Sequence, residues 1–377
     1  MTRAGLAALT LCALGLAGCG GGDGPSVPSA SPAPPGTGTT TAGSTPARPV
    51  PAPRSAEVDR LTLPQQVGET LILAFAGTEA PPYVLGALRE RRVAGVILFR
   101  GNVQSPGQLR GLTAQLQRAA GGRAIVCLDQ EGGDVKIVSF AAPDTSQREQ
   151  GSPQGAGAAA RATARDLRAL GVNVNLAPVA DVGRPGSALE ARTYPGDGGA
   201  VAAGVAAAVR AHRSQGVGAT VKHFPGLGAA GANTDDEPVT TRTGAADLRP
   251  YRAAIAAEVP LVMASHATYP QLDPGRIASQ SPVILEGLLR RRLRFGGVIV
   301  TDSMEAAAVL AEGSLEQGAE RSLRAGADLL LLTGDGSFRP VSQRLNAVAR
   351  RDPAFRARVK AAAARVLALK ARLGLGR

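Results

Sequence analysis

Gly218-Ala219-Thr220-Val221-Lys222-His223-Phe224-Pro225-Gly226 is a run of small and apolar residues that ends in a cation and an imidazole before a Pro-Gly turn. The residues before Lys222 lack the charged alternation of a half-exposed strand, so they read as a strand buried on both faces. A buried strand rarely carries charge unless that charge is paired or used. Two other stretches repeat the pattern. Ala124-Ile125-Val126-Cys127-Leu128 runs into Asp129-Gln130-Glu131-Gly132-Gly133, and Gly297-Val298-Ile299-Val300-Thr301 runs into Asp302-Ser303-Met304. Charges gathered at the C-terminal ends of parallel strands read as the active face of a barrel.

Working outward, eight apolar segments follow one another at 70–75, 95–99, 124–129, 172–179, 219–223, 261–266, 298–302 and 328–332. Between them lie Ala-, Leu-, Arg- and Glu-containing stretches with helical spacing at 80–92, 105–119, 154–170, 198–215, 246–258, 281–293 and 314–326, and a last pair covers 338–350 and 354–373. Eight repeats of strand and helix predict an α/β fold, a single (β/α)8 TIM-like barrel, with an open doubly wound sheet as the fallback. No Gly-x-Gly-x-x-Gly opens a helix after a strand, so the main dinucleotide signature is missing.

The first 55 residues do not belong to that pattern. Met1-Thr2-Arg3 precedes an almost wholly apolar run to Gly18, the layout of a secretory signal too short to span a bilayer comfortably. Its end, Leu16-Ala17-Gly18-Cys19, resembles a bacterial lipobox, in which Cys19 becomes the lipidated first residue; the plainer alternative is a signal peptide with a chance cysteine. Residues 19–55 are Gly, Pro, Ser, Thr and Ala with almost no large apolar side chain, which reads as a disordered tether. The expected organisation is therefore a signal over 1–18, a tether over 19–55 and a folded barrel over 56–377. The expected location is extracytoplasmic, held to the membrane by lipid. Of three cysteines only Cys127 falls in the folded part, as a buried thiol. The net charge of +12 is mostly scattered Arg, aromatics are 3% and Trp is absent, which argues against a base-stacking nucleic-acid surface.

The strand ends supply the candidate site. Asp302 reads either as a rigidly held nucleophile or as a helix cap. Lys222 and His223 offer donors to a sugar or phosphate oxygen. Asp129 and Glu131 sit at alternate positions and so share a face; they read as contacts to neighbouring hydroxyls, or one of them as an internal ion-pair partner. Arg192 is a candidate clamp, Asp181 a candidate support for its own loop, and His266 either a support behind the contacting residues or a contact itself. No carboxylate has a His partner at metal-ligand spacing, so neither a metal nor an organic cofactor is implied.

Together these motifs resemble the N-terminal barrel of glycoside hydrolase family 3, and within it the single-domain β-N-acetylglucosaminidase (β-N-acetylhexosaminidase) branch. The matching residues are 95–99 with Asn102, 129–133, 173–178 with Asp181 and Val182, Arg192, 222–226, Ser265 with His266, and 301–304. The resemblance implies that Asp302 is the nucleophile of a retaining glycosidase. It also implies that Asp129, Arg192, Lys222 and His223, with Met304, bind the terminal sugar, while Glu131 and His266 support them. Two departures stand out. Active members carry an Asp-Ser-His triplet in the loop after the Lys-His-Phe-Pro-Gly motif, and its His serves as acid/base. Here the triplet reads Asn233-Thr234-Asp235, leaving Asp235, Asp236 or Glu237 to supply a carboxylic acid, with Asp235 in the place of the His. After Gly133 the family carries Arg at the next position and again three residues on; this chain has Asp134 and Ile137, with Lys136 as the available replacement cation.

The sequence thus predicts a lipid-anchored retaining exo-β-glycosidase acting on N-acetylglucosaminides from cell wall. The alternative is a barrel that binds sugar without turnover. A cytosolic aldolase-like barrel would need a different site and no lipobox.

Overall fold

The computed structural model describes residues 55–376. The signal at 1–18, Cys19 and nearly all of the tether lie outside the described residues. Eight strands close a parallel barrel: β1 Leu71–Leu73, β2 Gly95–Ile97, β3 Ile125–Leu128, β4 Val174–Asn175, β5 Gly218–Phe224, β6 Leu261–Ala264, β7 Val298–Ser303 and β8 Leu329–Leu332. Each strand pairs with its sequence neighbours, and β1 closes the ring by pairing with both β8 and β2. The predicted (β/α)8 barrel is the observed fold.

Strand alternation builds two apolar layers. Ile72, Ile97, Ile125, Cys127, Val174, Leu261, Met263, Val298, Val300, Leu329 and Leu331 fill the barrel interior. Their neighbours Leu71, Leu73, Val96, Leu98, Val126, Val221, Val262, Ile299, Leu330 and Leu332 face the surrounding helices. Both sets are apolar, which is why the strands read as continuous hydrophobic runs.

Helices follow the strands at Pro82–Arg89, Pro106–Ala120, Pro153–Ala169, Gly198–Ser214, Arg249–Ala256, Val283–Arg292, Leu315–Ala325 and Phe338–Arg351. Several begin with a Ser or Asp cap: Ser105, Ser152, Asp197 and Ser314 each accept from a first-turn N–H. The helix after β6 is π-wound.

The last helix, Pro353–Arg372, seals the N-terminal end of the barrel. Its Val366 and Leu369 join the interior layer. Its Lys370 meets the buried Glu69 at 2.5 Å, and its Arg358 and Arg365 converge with Arg290 on Asp328 at the start of β8. Val58, the last residue of the first described helix, and Leu61 pack on Ala363, Ala364 and Leu367 of the same element. The chain therefore joins the folded body at the sealed end. The opposite, C-terminal mouth is where β3, β5 and β7 deliver their charged residues.

Candidate active site

Two strands carry one extra residue where they reach the mouth. On β5 the pairing steps from Val221 opposite Val262 to Phe224 opposite Ala264, three residues against two. On β7 it steps from Val300 opposite Leu329 to Ser303 opposite Leu331. Such bulges re-aim side chains at a rim. They fall on Lys222-His223 and on Thr301-Asp302. The Lys222–His223 peptide is cis.

Lys222 turns toward β3. Its Nζ lies 2.5 Å from Asp129 Oδ1 and 2.5 Å from Glu131 Oε1, and its side chain is 3% exposed. Arg192 completes the group as a fork: Nε donates to Glu131 Oε2 at 3.0 Å and Nη2 to Oε1 at 2.8 Å. Burial alone would push the Glu131 carboxyl up, but Lys222 and Arg192 outweigh it and hold it at about 2. Burial likewise disfavours the Lys222 ammonium, and Asp129 and Glu131 reverse that, keeping it above the usual lysine range. Glu131 is thus the internal ion-pair partner. Asp129 keeps a fifth of its side chain exposed at the mouth.

His223 turns the other way. Its Nδ1 lies 2.7 Å from Asp181 Oδ2, and its Nε2 lies 3.8 Å from Asp302 Oδ2. Asp181 is wholly buried and also accepts the backbone N–H groups of His223 and Leu227, at 3.2 and 2.6 Å. It holds the His223 ring and the turn after β5, and does not line the mouth. Asp302 accepts the Ser303 N–H at 2.9 Å. Burial pushes its carboxyl up; His223, His266 and Lys222 overcome this and leave it below the ordinary carboxylate range.

Asp235 answers Asp302 from a neighbouring loop. The loop sits on the segment after β7, where the Ala307 N–H donates to Asp235 O at 3.1 Å and the Ala308 N–H to Thr234 O at 3.2 Å. Partial burial and the Asp302 charge raise the Asp235 carboxyl above its usual value. Two neighbouring carboxyls are therefore driven apart in acidity, Asp302 down and Asp235 up.

The structure brings Asp129, Glu131, Arg192, Lys222, His223, Asp235 and Asp302 to one mouth. His266 is wholly buried, with Nδ1 2.7 Å from Ser279 Oγ, and burial keeps its ring below the usual histidine range despite the Asp302 charge. Its Nε2 is buried without a hydrogen-bond partner, so its influence on Asp302 is one of charge and not of contact. Met304 corrects the expectation of a sugar contact: it is 0% exposed and lies in the layer between barrel and helices, because the β7 bulge has ended and the side chain points outward. Lys136 does not take the place of the missing cation either, since it pairs with Asp144. His212 was not singled out from the sequence. Its Nε2 meets Asn175 Nδ2 at 3.1 Å, and Asn175 in turn clasps Gln130 N and O between Asp129 and Glu131. Its position on the apolar stripe of Val201, Val205 and Val209 was the available signal. A groove of about 1100 Å³ on the barrel flank, between Pro82–Arg89 and Phe338–Arg351, holds none of these groups. Among the described residues no cluster of His, Cys, Asp and Glu has the makings of a metal site, and no helix is long and apolar enough to cross a membrane.

Residues 81–369 match the Glycosyl hydrolase family 3 N terminal domain. The chain belongs to glycosyl hydrolase family 3. A beta-hexosaminidase of Stenotrophomonas maltophilia is 35% identical over 277 residues, covering 70% of this chain and 82% of that protein. The solved beta-N-acetylhexosaminidase from Beutenbergia cavernae superposes with a TM-score of 0.76 at 33% identity, over 82% of this chain and 99% of its own. A family 3 beta-N-acetylglucosaminidase from Paenibacillus sp. gives a TM-score of 0.78 at 34% identity over 83% of this chain, which spans 63% of that longer protein. Membership makes this family 3 barrel a glycoside hydrolase, and the relatives named for hexosaminidase activity place a carbohydrate among the substrates to test first.

Proposed function

We propose that this family 3 barrel is a retaining exo-β-N-acetylhexosaminidase, with Asp302 as nucleophile and Asp235 as acid and base. The observation that carries the reading is the contrast between the two carboxyls: Asp302 is held ionised by His223, His266 and Lys222, whereas Asp235 is pushed up by burial and by Asp302 itself. In the first step an Asp302 oxygen bonds to the anomeric carbon as the glycosidic C–O bond breaks, and the departing oxygen takes the Asp235 proton. In the second, water gives a proton to the Asp235 carboxylate and attacks the same carbon, releasing Asp302. Retention requires the two carboxyls about 5–5.5 Å apart at the moment of reaction. Asp129, Arg192, Lys222 and His223 grip the terminal sugar. We further propose lipid attachment at Cys19, which would hold the enzyme outside the cytoplasm near cell-wall glycosides.

Incubation with aryl β-N-acetylglucosaminides tests turnover, and a 5-fluoro N-acetylglucosaminyl fluoride traps the nucleophile. The expected result is mass added at Asp302 and no turnover by Asp302→Ala, which keeps its fold. Label on another residue sinks the assignment. One observation favours a second reading, a barrel that binds sugar without turnover: the loop triplet Asn233-Thr234-Asp235 lacks a His. Binding of N-acetylglucosamine with no cleavage of any aryl glycoside would establish it.

A further inference from the structure

We infer that Asn233 is a positioning residue for Asp235, orienting the acid with a neutral amide. The inference rests on the proposed role of Asp235. Asn233 uses both ends of its side chain on that one residue: Oδ1 accepts the Asp235 N–H at 3.2 Å, and Nδ2 donates to Asp235 Oδ2 at 3.3 Å. The amide orientation follows from the partners, because an N–H needs an acceptor and a carboxyl oxygen accepts. Asn233 O also accepts the N–H groups of Asp236 and Glu237, at 3.2 and 3.3 Å, so the turn closes on this residue.

The backbone on the far side is already fixed. Thr234 is 1% exposed, and Thr234 O and Asp235 O are bonded to the Ala307–Ala308 segment just past the nucleophile's strand. What remains free is the rotation of the Asp235 side chain, and Asn233 is the group that holds it. A donor at Oδ2 also decides where the acid's proton sits. Protonation at Oδ2 would set a proton against the Asn233 N–H, so the transferable proton is left on Oδ1.

The neutrality of the amide matters. Asp235 faces Asp302 from β7, His223 from β5 and Asp236 from its own loop; the two carboxylates raise its carboxyl and His223 lowers it. A carboxylate at position 233 would add a third like charge at hydrogen-bond distance. Asn supplies the same shape with a donor in place of that charge.

The isosteric exchange separates the donor from the turn. Asn233→Asp keeps an acceptor for the Asp235 N–H, so a role confined to closing the turn predicts only the pH shift that the added charge brings, with the leaving-group dependence of the wild type. The positioning role predicts that the basic limb of the kcat/KM–pH profile moves to higher pH, and that kcat on alkyl or 4-methylphenyl N-acetylglucosaminides falls about tenfold relative to the 2,4-dinitrophenyl glycoside with little change in KM. Asn233→Ala should move the basic limb the same way by less, and should steepen the leaving-group dependence further because the clasp is also lost. Asp235→Ala is the reference. If it steepens the leaving-group dependence while both Asn233 variants retain the wild-type slope, the Asn233 role alone is overturned. If Asp235→Ala leaves that dependence unchanged, the acid assignment falls and the Asn233 role falls with it.

Discussion

Glu131 is the residue on which the buried charges of the mouth are balanced. It is 2% exposed and shared between Lys222 and Arg192, so its charge is needed to keep the Lys222 ammonium buried and the half-buried Arg192 in place. Its folded value of about 2 lies below the ordinary 4.5. A depressed carboxyl stabilises the fold in full above the unfolded value, and that contribution is lost as pH falls from 4.5 toward 2, some 3 kcal/mol in all. Glu131→Gln should therefore be less stable than the parent in urea at neutral pH, with the gap narrowing below pH 4.5. A gap that stays constant down to the acid end would refute the pairing. Lys222→Ala should lose sugar affinity and, by leaving Glu131 short of a partner, cost about 3–5 kcal/mol of stability. Paired ligand-binding and unfolding curves check both losses; unchanged values would make the cation a bystander. The sequence showed that Asp129 and Glu131 share a face but not which would be spent internally, because that choice depends on Arg192, 61 residues further along the chain.

Elements set directions that residue spacing alone misses. Strand alternation sends Lys222 and His223 to opposite faces, yet the β5 bulge brings both to the mouth, and that bulge is defined by pairing with β6 rather than by any local pattern. The barrel strands and helices were legible because each strand is apolar on both faces and each helix carries an amphipathic stripe. Support from His212 was less visible, since its partner Asn175 lies on another element. The loop bearing Asp235 begins at Gly228, where the backbone meets the segment after β4: a Cβ there would lie 2.1 Å from Val182 O, and Arg184 N already donates to Gly228 O at 2.9 Å. Gly228→Ala must push the loop bearing Asp235 away from Asp181 and His223. The expected outcome is a fall in kcat of tenfold or more, on the order of what displaced catalytic groups cost, with a smaller fall in thermal midpoint. Kinetics and melting on the same preparation test it, and full activity would show that the loop absorbs the added methyl.

At the scale of the whole molecule, the barrel is open at one end and sealed at the other. The interior layer runs from Ile72 and Leu329 down to Val366 and Leu369 of the last helix, with Cys127 among it. Burial pushes the Cys127 thiol well up, so thiol reagents should leave it unmodified in the native protein and label it in urea. Modification at equal rates in both states would contradict the packing. Cys19→Ser should release the protein from membranes, which fractionation reads directly; a variant still in the pellet would point to a different anchor. The point at which the chain joins the body has a practical side. Val58 and Leu61 bind the last helix at the sealed end, so any load applied upstream of Ser55 pulls on the floor of the barrel. A pull on that segment is therefore felt first by the last helix at the sealed end, and reaches the charged mouth only through the length of the barrel strands.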